Sequence, residues 1–140
     1  MPIYMRYGTA TKFIKGDVTE PAHKGWIELS QVDFVRIHDT RVFKKVDQAS
    51  ILVAQENKTG SITGEAVLDF VRFEKGKPQV ILRVTLTSTL ILEDSIDYGT
   101  AEFYRRHGQE TVALGYREIR YGYSAGTITF RGVPPNIPSV

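Results

Sequence analysis

Two long runs of alternating side chains, separated by a four-residue connection, constrain the fold of this chain most strongly. The run "EAVLDFVRFE" occupies residues 65–74, and "QVILRVTLTSTLILE" occupies residues 79–93. Alternation with a period of two is typical of β-strands, and the intervening "KGKP" contains the glycine of a short hairpin connection. In the second run one face is aliphatic and the other is mixed, the aliphatic set being Val80, Leu82, Val84 and Leu86. The sequence therefore predicts a mainly β fold built around a long antiparallel hairpin.

Shorter runs add further strands, which we predict at residues 3–7, 26–35, 41–46, 111–123 and 126–132. In the run 111–123 the apolar residues change parity, because Val112 and Leu114 are even-numbered whereas Ile119 and Tyr121 are odd-numbered. A strand moves its side chains to the other face only through an extra residue, so we predict a β-bulge near Arg117-Glu118. Bulges bend sheets, and the pattern therefore favours a small closed β-barrel.

One segment predicts an α-helix, the run "QASILVAQENK" at residues 48–58. Asp47 is a suitable N-cap, Lys58 falls in the last turn, and Gly60 stands just past the end. Ile51, Leu52 and Gln55 would give this helix a narrow apolar stripe. We expect a short helix that lies on the side of the barrel.

Length, charge and composition exclude several classes of protein. A chain of 140 residues fits a single domain, residues 1–140. Lysine and arginine exceed the acids by only 18 to 16, which does not predict a nucleic-acid partner. The absence of cysteine excludes disulfides, thiolate zinc sites and cysteine nucleophiles. The N-terminus lacks the pattern of a secretory signal, and no apolar run approaches ~18 residues, so we expect cytoplasmic synthesis without membrane insertion.

The polar residues do not form a recognisable catalytic or metal-binding pattern. The histidines are far apart in the sequence, at His23, His38 and His107, and none has a second histidine at metal-ligand spacing. The acids Glu93, Asp94 and Asp97 fall at a predicted strand end, where acids commonly meet solvent, and this disfavours an acid/base pair. There is no G-x-S-x-G elbow, and "GSITGE" at 60–65 lacks the lysine of a phosphate loop. We therefore expect no enzyme activity, no catalytic residue, no metal and no cofactor.

The stretch "FIKGDVTEPAHKGWIELSQVDF" at residues 13–34 carries a more specific pattern. It resembles the N-terminal signature of the Hcp family, the haemolysin-coregulated tube proteins of bacterial type VI secretion. The residues that carry the resemblance are Ile14, Lys15, Gly16, Asp17, His23, Trp26, Ile27, Glu28, Leu29 and Phe34. Farther along, "DQASILVAQENKTG" (47–60) is similar to the helix of that family, and "QETVALGYREIRYGY" (109–123) is similar to one of its strands. The resemblance thus covers nearly the whole chain in the right order.

The resemblance implies a two-sheet β-barrel with one short flanking α-helix, a structural role and no cofactor. It also implies hexameric rings that stack into a hollow tube, which a contractile sheath propels from the cell. The implied partners are further copies of the chain, the sheath, spike and baseplate proteins, and effectors in the lumen. The protein would assemble in the cytoplasm and then leave the cell without a signal peptide.

For the opening stretch, this resemblance favours a structural role. We expect Trp26 and Ile27 to pack on opposite faces of their strand, and His23 with Asp17 to shape the preceding turn. The predicted structural core comprises Trp26, Leu29, Tyr116 and Ile119.

A ring also requires a contact surface between subunits. Both long strands carry apolar residues on both parities, and one barrel buries only one of those faces. We predict a head-to-tail contact that closes into a ring, with Val71 and Ile81 on the solvent-side parity as interface residues. Only residues 36–46 lie between the strand after Trp26 and the helix, where the family often has a long stacking loop, so we expect weak ring-on-ring stacking.

Two other structural classes remain open from the sequence. Contractile-phage tail-tube proteins share this kind of barrel. A small-ligand-binding barrel would need a hollow interior, whereas the many valine, leucine and isoleucine residues indicate a filled one. A fused toxin domain, as in an enzymatic member of the family, has no room in 140 residues.

Overall fold

The computed structural model describes residues 1–36, 39–60, 64–97, 108–123 and 126–130. This part of the chain contains ten strands and one α-helix, α1, at Ala49–Thr59. The strands are β1 (Ile3–Tyr7), β2 (Ile27–Leu29), β3 (Gln31–Arg36), β4 (Asp39–Lys45), β5 (Glu65–Glu74), β6 (Lys77–Thr87), β7 (Leu90–Asp97), β8 (Gln109–Gly115), β9 (Glu118–Tyr123) and β10 (Gly126–Phe130). A short 3-10 turn at Pro21–His23 precedes β2.

The strands form two antiparallel sheets, which confirms the predicted two-sheet β-barrel class with one flanking helix. The first sheet has the order β10-β9-β6-β5-β1-β2, and the second has the order β3-β4-β8-β7. The predicted hairpin is β5–β6, whose turn residues Lys75 and Gly76 both have positive φ angles, 52° and 75°. Such a turn matches the right-handed twist of the strands it joins.

Three of the predicted strands are each divided into two strands in the structure, and the two halves belong to different sheets. The chain changes sheets at Ser30 between β2 and β3, at Ser88-Thr89 between β6 and β7, and at Tyr116-Arg117 between β8 and β9. The prediction of a β-bulge near Arg117-Glu118 was therefore wrong. The parity changes there because β8 and β9 belong to opposite sheets that face the same core. The side chains that point to the core are therefore even-numbered in β8 and odd-numbered in β9.

The main core lies between the two sheets and is filled by side chains from both. Its completely buried members include Ile14, Ile27, Val42, Leu68, Val84, Leu86 and Leu114. Leu29, Tyr116 and Ile119 belong to the same cluster. Fully burying one such aliphatic side chain stabilises the fold by roughly 1.5–3 kcal/mol. This packing accounts for the alternation by which the strands were predicted.

The helix has the predicted ends but buries a different face. The backbone N–H of Ala49 donates to Asp47 Oδ1 at 2.9 Å, and Gly60 ends the helix with φ 59° and an N–H bond to the Glu56 carbonyl. The predicted apolar stripe was wrong, since Ile51 is 78% exposed. The inner face instead carries Ala49, Ser50, Val53 and Glu56, because the helix covers polar side chains of the second sheet.

Several sequence predictions lie wholly or partly outside the described residues. His38 and His107 are among them, as are residues 131–140, which include the last two residues of the strand predicted at 126–132. The described part of that strand is β10.

Candidate assembly surface

Trp26 packs on the outer face of the first sheet, and not between the sheets. It forms a second small core with Tyr4, Val18, Val67 and Val71. The neighbouring Ile27 is completely buried in the main core, so the two side chains point to opposite faces. The segment 18–26, which we call the covering segment, therefore packs on the outer face of β5 and forms a third layer of the fold outside the first sheet.

His23, in the same segment, is itself buried and belongs to an ionic cluster. Its Nε2 lies 2.7 Å from Asp69 Oδ2, and its Nδ1 contacts the carboxylate of Glu20. Arg83 donates from Nε and Nη2 to the same Asp69 carboxylate at 2.7 and 2.8 Å. Because carboxylates only accept hydrogen bonds, both ring nitrogens of His23 are placed to donate, as in an imidazolium. We call these four residues the His23 cluster.

Hydrogen bonding within the His23 cluster favours the charged forms of Glu20 and Arg83. Although burial opposes it, the hydrogen bonds from His23 and from the Ala22 amide lower the pKa of Glu20. Hydrogen bonding to Asp69 raises the pKa of Arg83. Asp17 is exposed and His23 bonds to Glu20 and Asp69, so these two acids, and not Asp17, are the side-chain partners of His23 in the predicted turn. The cluster fixes the covering segment to β5 and β6.

A second ionic cluster lies between the second sheet and α1. The completely buried Lys44 of β4 donates from Nζ to Asp47 Oδ1 at 2.7 Å, to Glu110 Oε1 at 2.8 Å and to Ser50 Oγ at 3.2 Å. Lys44 and Glu110 are directly opposite each other in the β4–β8 register. Sequence analysis missed this cluster, although the signal was present: both residues share the parity of buried valines, Val42 and Val112.

Neither cluster has the composition of a metal centre. Within the part of the chain that the structure describes, no three histidine, cysteine, aspartate or glutamate residues are grouped so that they could hold a metal ion. Both clusters join strands to covering segments through ion pairs between basic and acidic side chains, an arrangement that supports a structural role.

The predicted core and interface residues occupy different environments. Trp26, Leu29, Tyr116 and Ile119 are each less than a tenth exposed. Ile81 is partly exposed in β6.

Val71 is completely buried, so its prediction as an interface residue was wrong. The parity was assigned correctly, because Val71 lies on the same face of β5 as Val67 and opposite the main core. That face is covered by Val18 and Trp26, however, and is not available to a partner.

Apolar side chains are exposed instead along β7, which is an edge strand of the second sheet as described. Leu90, Leu92 and Ile96 are each about half exposed. The outer side of α1, which packs beside β7, adds Ile51 and Leu52. We call these five residues the β7 edge surface. Unpaired strand edges and exposed apolar groups are typical of association sites.

Comparison with known proteins identifies the family. The family described as "Type VI secretion system effector, Hcp" matches residues 31–123, more than half of the chain. The chain therefore belongs to the Hcp family of type VI secretion systems. No curated protein sequence matches the chain.

Solved Hcp structures share the fold. Hcp1 from Salmonella typhimurium superposes with a TM-score of 0.73 at 23% identity, over 91% of each chain. A mutant of Hcp1 from the E. coli EAEC 042 pathovar gives a TM-score of 0.75 at 20% identity, over 93% of this chain and 96% of that chain. Hcp3 from Pseudomonas aeruginosa gives 0.74 at 17% identity, over 94% and 98%.

Family membership defines the class of function. Hcp proteins are secreted structural components of type VI systems, and this chain is accordingly a type VI tube protein. In the described residues we find no helix with the length and apolar character that crossing a membrane would require.

Proposed function

We propose that this protein is the subunit of hexameric rings that stack to form the inner tube of a type VI secretion system. Family membership is the observation that carries this proposal. The packed interior between the sheets supports it, since the hollow space in such an assembly lies within the ring and a single subunit needs no cavity. The same packing disfavours a small-ligand-binding barrel.

The proposal includes the partners and the route that the family implies. The rings assemble in the cytoplasm and leave the cell as part of the tube, in contact with sheath, spike and baseplate proteins. Effector proteins travel in the lumen. The protein has no catalytic role in this scheme, and both ionic clusters serve to hold covering segments in place.

The ring contact is proposed to involve the β7 edge surface of one subunit and a different surface of the next. A head-to-tail contact of this kind repeats around a rotation axis until the ring closes. Ile81, which is partly exposed on the other sheet, is the proposed opposing residue. Because the exposed residues of β7 are aliphatic, the contact should persist in high salt, which screens only charged interactions.

Size-exclusion chromatography with light scattering tests the ring directly. At tens of micromolar the parent protein should have six times the 15.8 kDa mass of one chain. A single-chain mass under those conditions would contradict the proposal. The variant Ile96→Asp should give folded monomers, because it places a charge on an exposed position of the edge strand.

A matched control is Phe73→Asp at the end of the β5–β6 hairpin. Phe73 is also about half exposed, but it is paired with Pro78 next to the turn and belongs neither to the β7 edge surface nor to the position of Ile81, so this variant should keep the mass of the parent. If Ile96→Asp keeps the ring and Ile81→Asp dissociates it, the contact involves β6 and not the β7 edge.

A further inference from the structure

A β-bulge in β7 turns an acidic side chain toward the core. Ile91 pairs with Leu114 and Glu93 pairs with Ala113, so Leu92 is an extra residue without a partner on β8. Beyond this bulge Asp94 is paired with Val112, which is buried in the main core. The bulge therefore places Asp94 on the inward face, whereas Glu93 is turned to the surface with a side chain that is 72% exposed.

Asp94 meets Glu110 there, and each acid has one unsatisfied oxygen. Glu110 Oε1 accepts from Lys44 Nζ and from Ser50 Oγ, both at 2.8 Å. Glu110 Oε2 and Asp94 Oδ1 are buried, and neither has a hydrogen-bond partner among the described residues. In the β7–β8 register Glu110 is opposite Ile96, two residues from Asp94, so the two acids are diagonal neighbours across the strand pair. Two carboxylate oxygens both accept, so a bond between them requires a proton.

The charge balance around the pair also calls for a proton. Three carboxyl groups face one lysine among the described residues: Asp47 before α1, Glu110 on β8 and Asp94 on β7, with Lys44 on β4. On the same helix the buried Glu56 lies near Tyr7. On the outer surface Glu93 is paired with Arg41. Lys44 is already bonded to Asp47 and Glu110, and its charge lowers the pKa of Asp94 by less than burial and Glu110 raise it.

We propose that Asp94 and Glu110 share one proton, and that this proton fastens the edge strand β7 to β8. The bond forms across the strand pair, next to the bulge where the regular ladder is interrupted. When the proton is lost, two adjacent carboxylates repel each other across the same strands and β7 is held less firmly. The pair is thus a pH-sensitive clamp on the strand that carries the exposed leucines.

The direction of the pH dependence follows from the site. Burial, followed by the hydrogen bond to Glu110 and its charge, raises the pKa of Asp94 from 3.8 to about 7, against the opposing effect of Lys44. The folded protein therefore holds this proton more tightly than the unfolded chain does. The stabilisation is complete below pH 3.8, decreases as the pH rises, and is lost above about pH 7.

Thermal unfolding between pH 5 and pH 8.5 tests the clamp in three proteins: the parent, Asp94→Asn and Glu93→Gln. Asparagine donates an N–H to Glu110 at every pH, so Asp94→Asn should show a smaller fall in melting temperature and should melt several degrees above the parent at pH 8.5. Glu93→Gln changes the neighbouring exposed acid and should follow the parent. Parallel pH profiles for the parent and Asp94→Asn would overturn the proposal.

Two additions keep the test decisive. The profiles should be measured at two protein concentrations, because ring dissociation depends on concentration and the clamp does not. Carboxyl carbon NMR of the parent should show a titration near pH 7 for this pair, which requires no variant to fold. A spectrum in which both carboxyl groups have finished titrating by pH 5 would overturn the proposal independently of whether the protein forms rings.

Discussion

The two ionic clusters differ in how completely their polar atoms are satisfied. In the His23 cluster, Asp69 takes hydrogen bonds from Arg83 and His23, and the second nitrogen of His23 meets Glu20. In the cluster around Lys44, one oxygen of Glu110 and one of Asp94 have no donor among the described residues. Each carboxylate oxygen of Asp69 meets a donor in the first cluster, whereas in the second cluster the unsatisfied oxygens belong to two acids that need a proton between them. The clusters also differ in exposure, since the Arg83 side chain is 53% exposed whereas Lys44 and Glu110 are completely buried.

The largest expected effect comes from removing the cation of the second cluster. Lys44→Met should cost roughly 3–5 kcal/mol in the free energy of unfolding, because Glu110 and Asp47 would lose their buried counter-charge. Denaturant unfolding measures this cost. Lys45→Met is the control, since Lys45 is exposed and its replacement should change stability by no more than about 0.5 kcal/mol. Equal effects of the two substitutions would contradict the described burial of Lys44.

A somewhat smaller effect is expected where Trp26 covers the His23 cluster. Trp26→Ala should cost about 3 kcal/mol, at the lower end of the range for a buried aromatic residue, because its core is small and lies on an outer face. The substitution also removes the edge-on packing of the indole against His23, in which the ring centroids are 4.7 Å apart. Thermal unfolding measures the effect, and a mutant that melts within a degree or two of the parent would show that the covering segment adds little.

Glu20 of the His23 cluster and the Asp94–Glu110 pair should respond to pH in opposite directions. Glu20 has a lowered pKa, so its contribution to stability is present above 4.5 and is lost as the pH falls further. The Asp94–Glu110 pair instead weakens as the pH rises toward about 7. Glu20→Gln should therefore flatten only the acid side of a plot of melting temperature against pH. If this variant altered the profile only above pH 6, the assignment of Glu20 to the acid side and of the Asp94–Glu110 pair to the alkaline side would be wrong.

The smallest expected effect concerns contacts between rings. Residues 39–45 of the short segment after β3 form the paired strand β4, which leaves little of this segment for an axial contact. Contacts below about 1,200 Å² in total are typical of weak association. Sedimentation velocity should show stacking that increases with concentration. Long tubes forming spontaneously at micromolar concentration would show that other surfaces hold the rings together.

Sequence reasoning predicted the features that depend on local pattern. The β5–β6 hairpin and both ends of α1 were recognised because alternation, the Lys75-Gly76 turn, Asp47 and Gly60 act over a few residues. The sheet changes were missed, because a strand that continues into another sheet keeps an alternating pattern. Ser88 lies at one of these changes of sheet and has a φ of 52°. A serine in the sequence does not predict this conformation.

The assembly surface and the clamp were harder to predict because both depend on bulges without a glycine signal. In β6, Ile81 is an extra residue between the pairs Phe70–Leu82 and Val71–Val80, so Val80 leaves the core face to which its parity assigned it. In β7, the extra residue Leu92 likewise changes the face of the residues after it and brings Asp94 to the core face. Tertiary packing determines which face of β5 the covering segment lies on. The sequence pattern does not contain this information, and Val71 was therefore predicted as an interface residue.

Negative-stain electron microscopy of the purified protein tests the central claim most directly. Closed rings with six subunits around a central opening are the expected result at concentrations where the parent has a sixfold mass. The variant Ile96→Asp, prepared in the same way, should show only small particles of single-chain size. Uniform single-chain particles in the parent sample at tens of micromolar would contradict the proposed role as a ring-forming tube subunit.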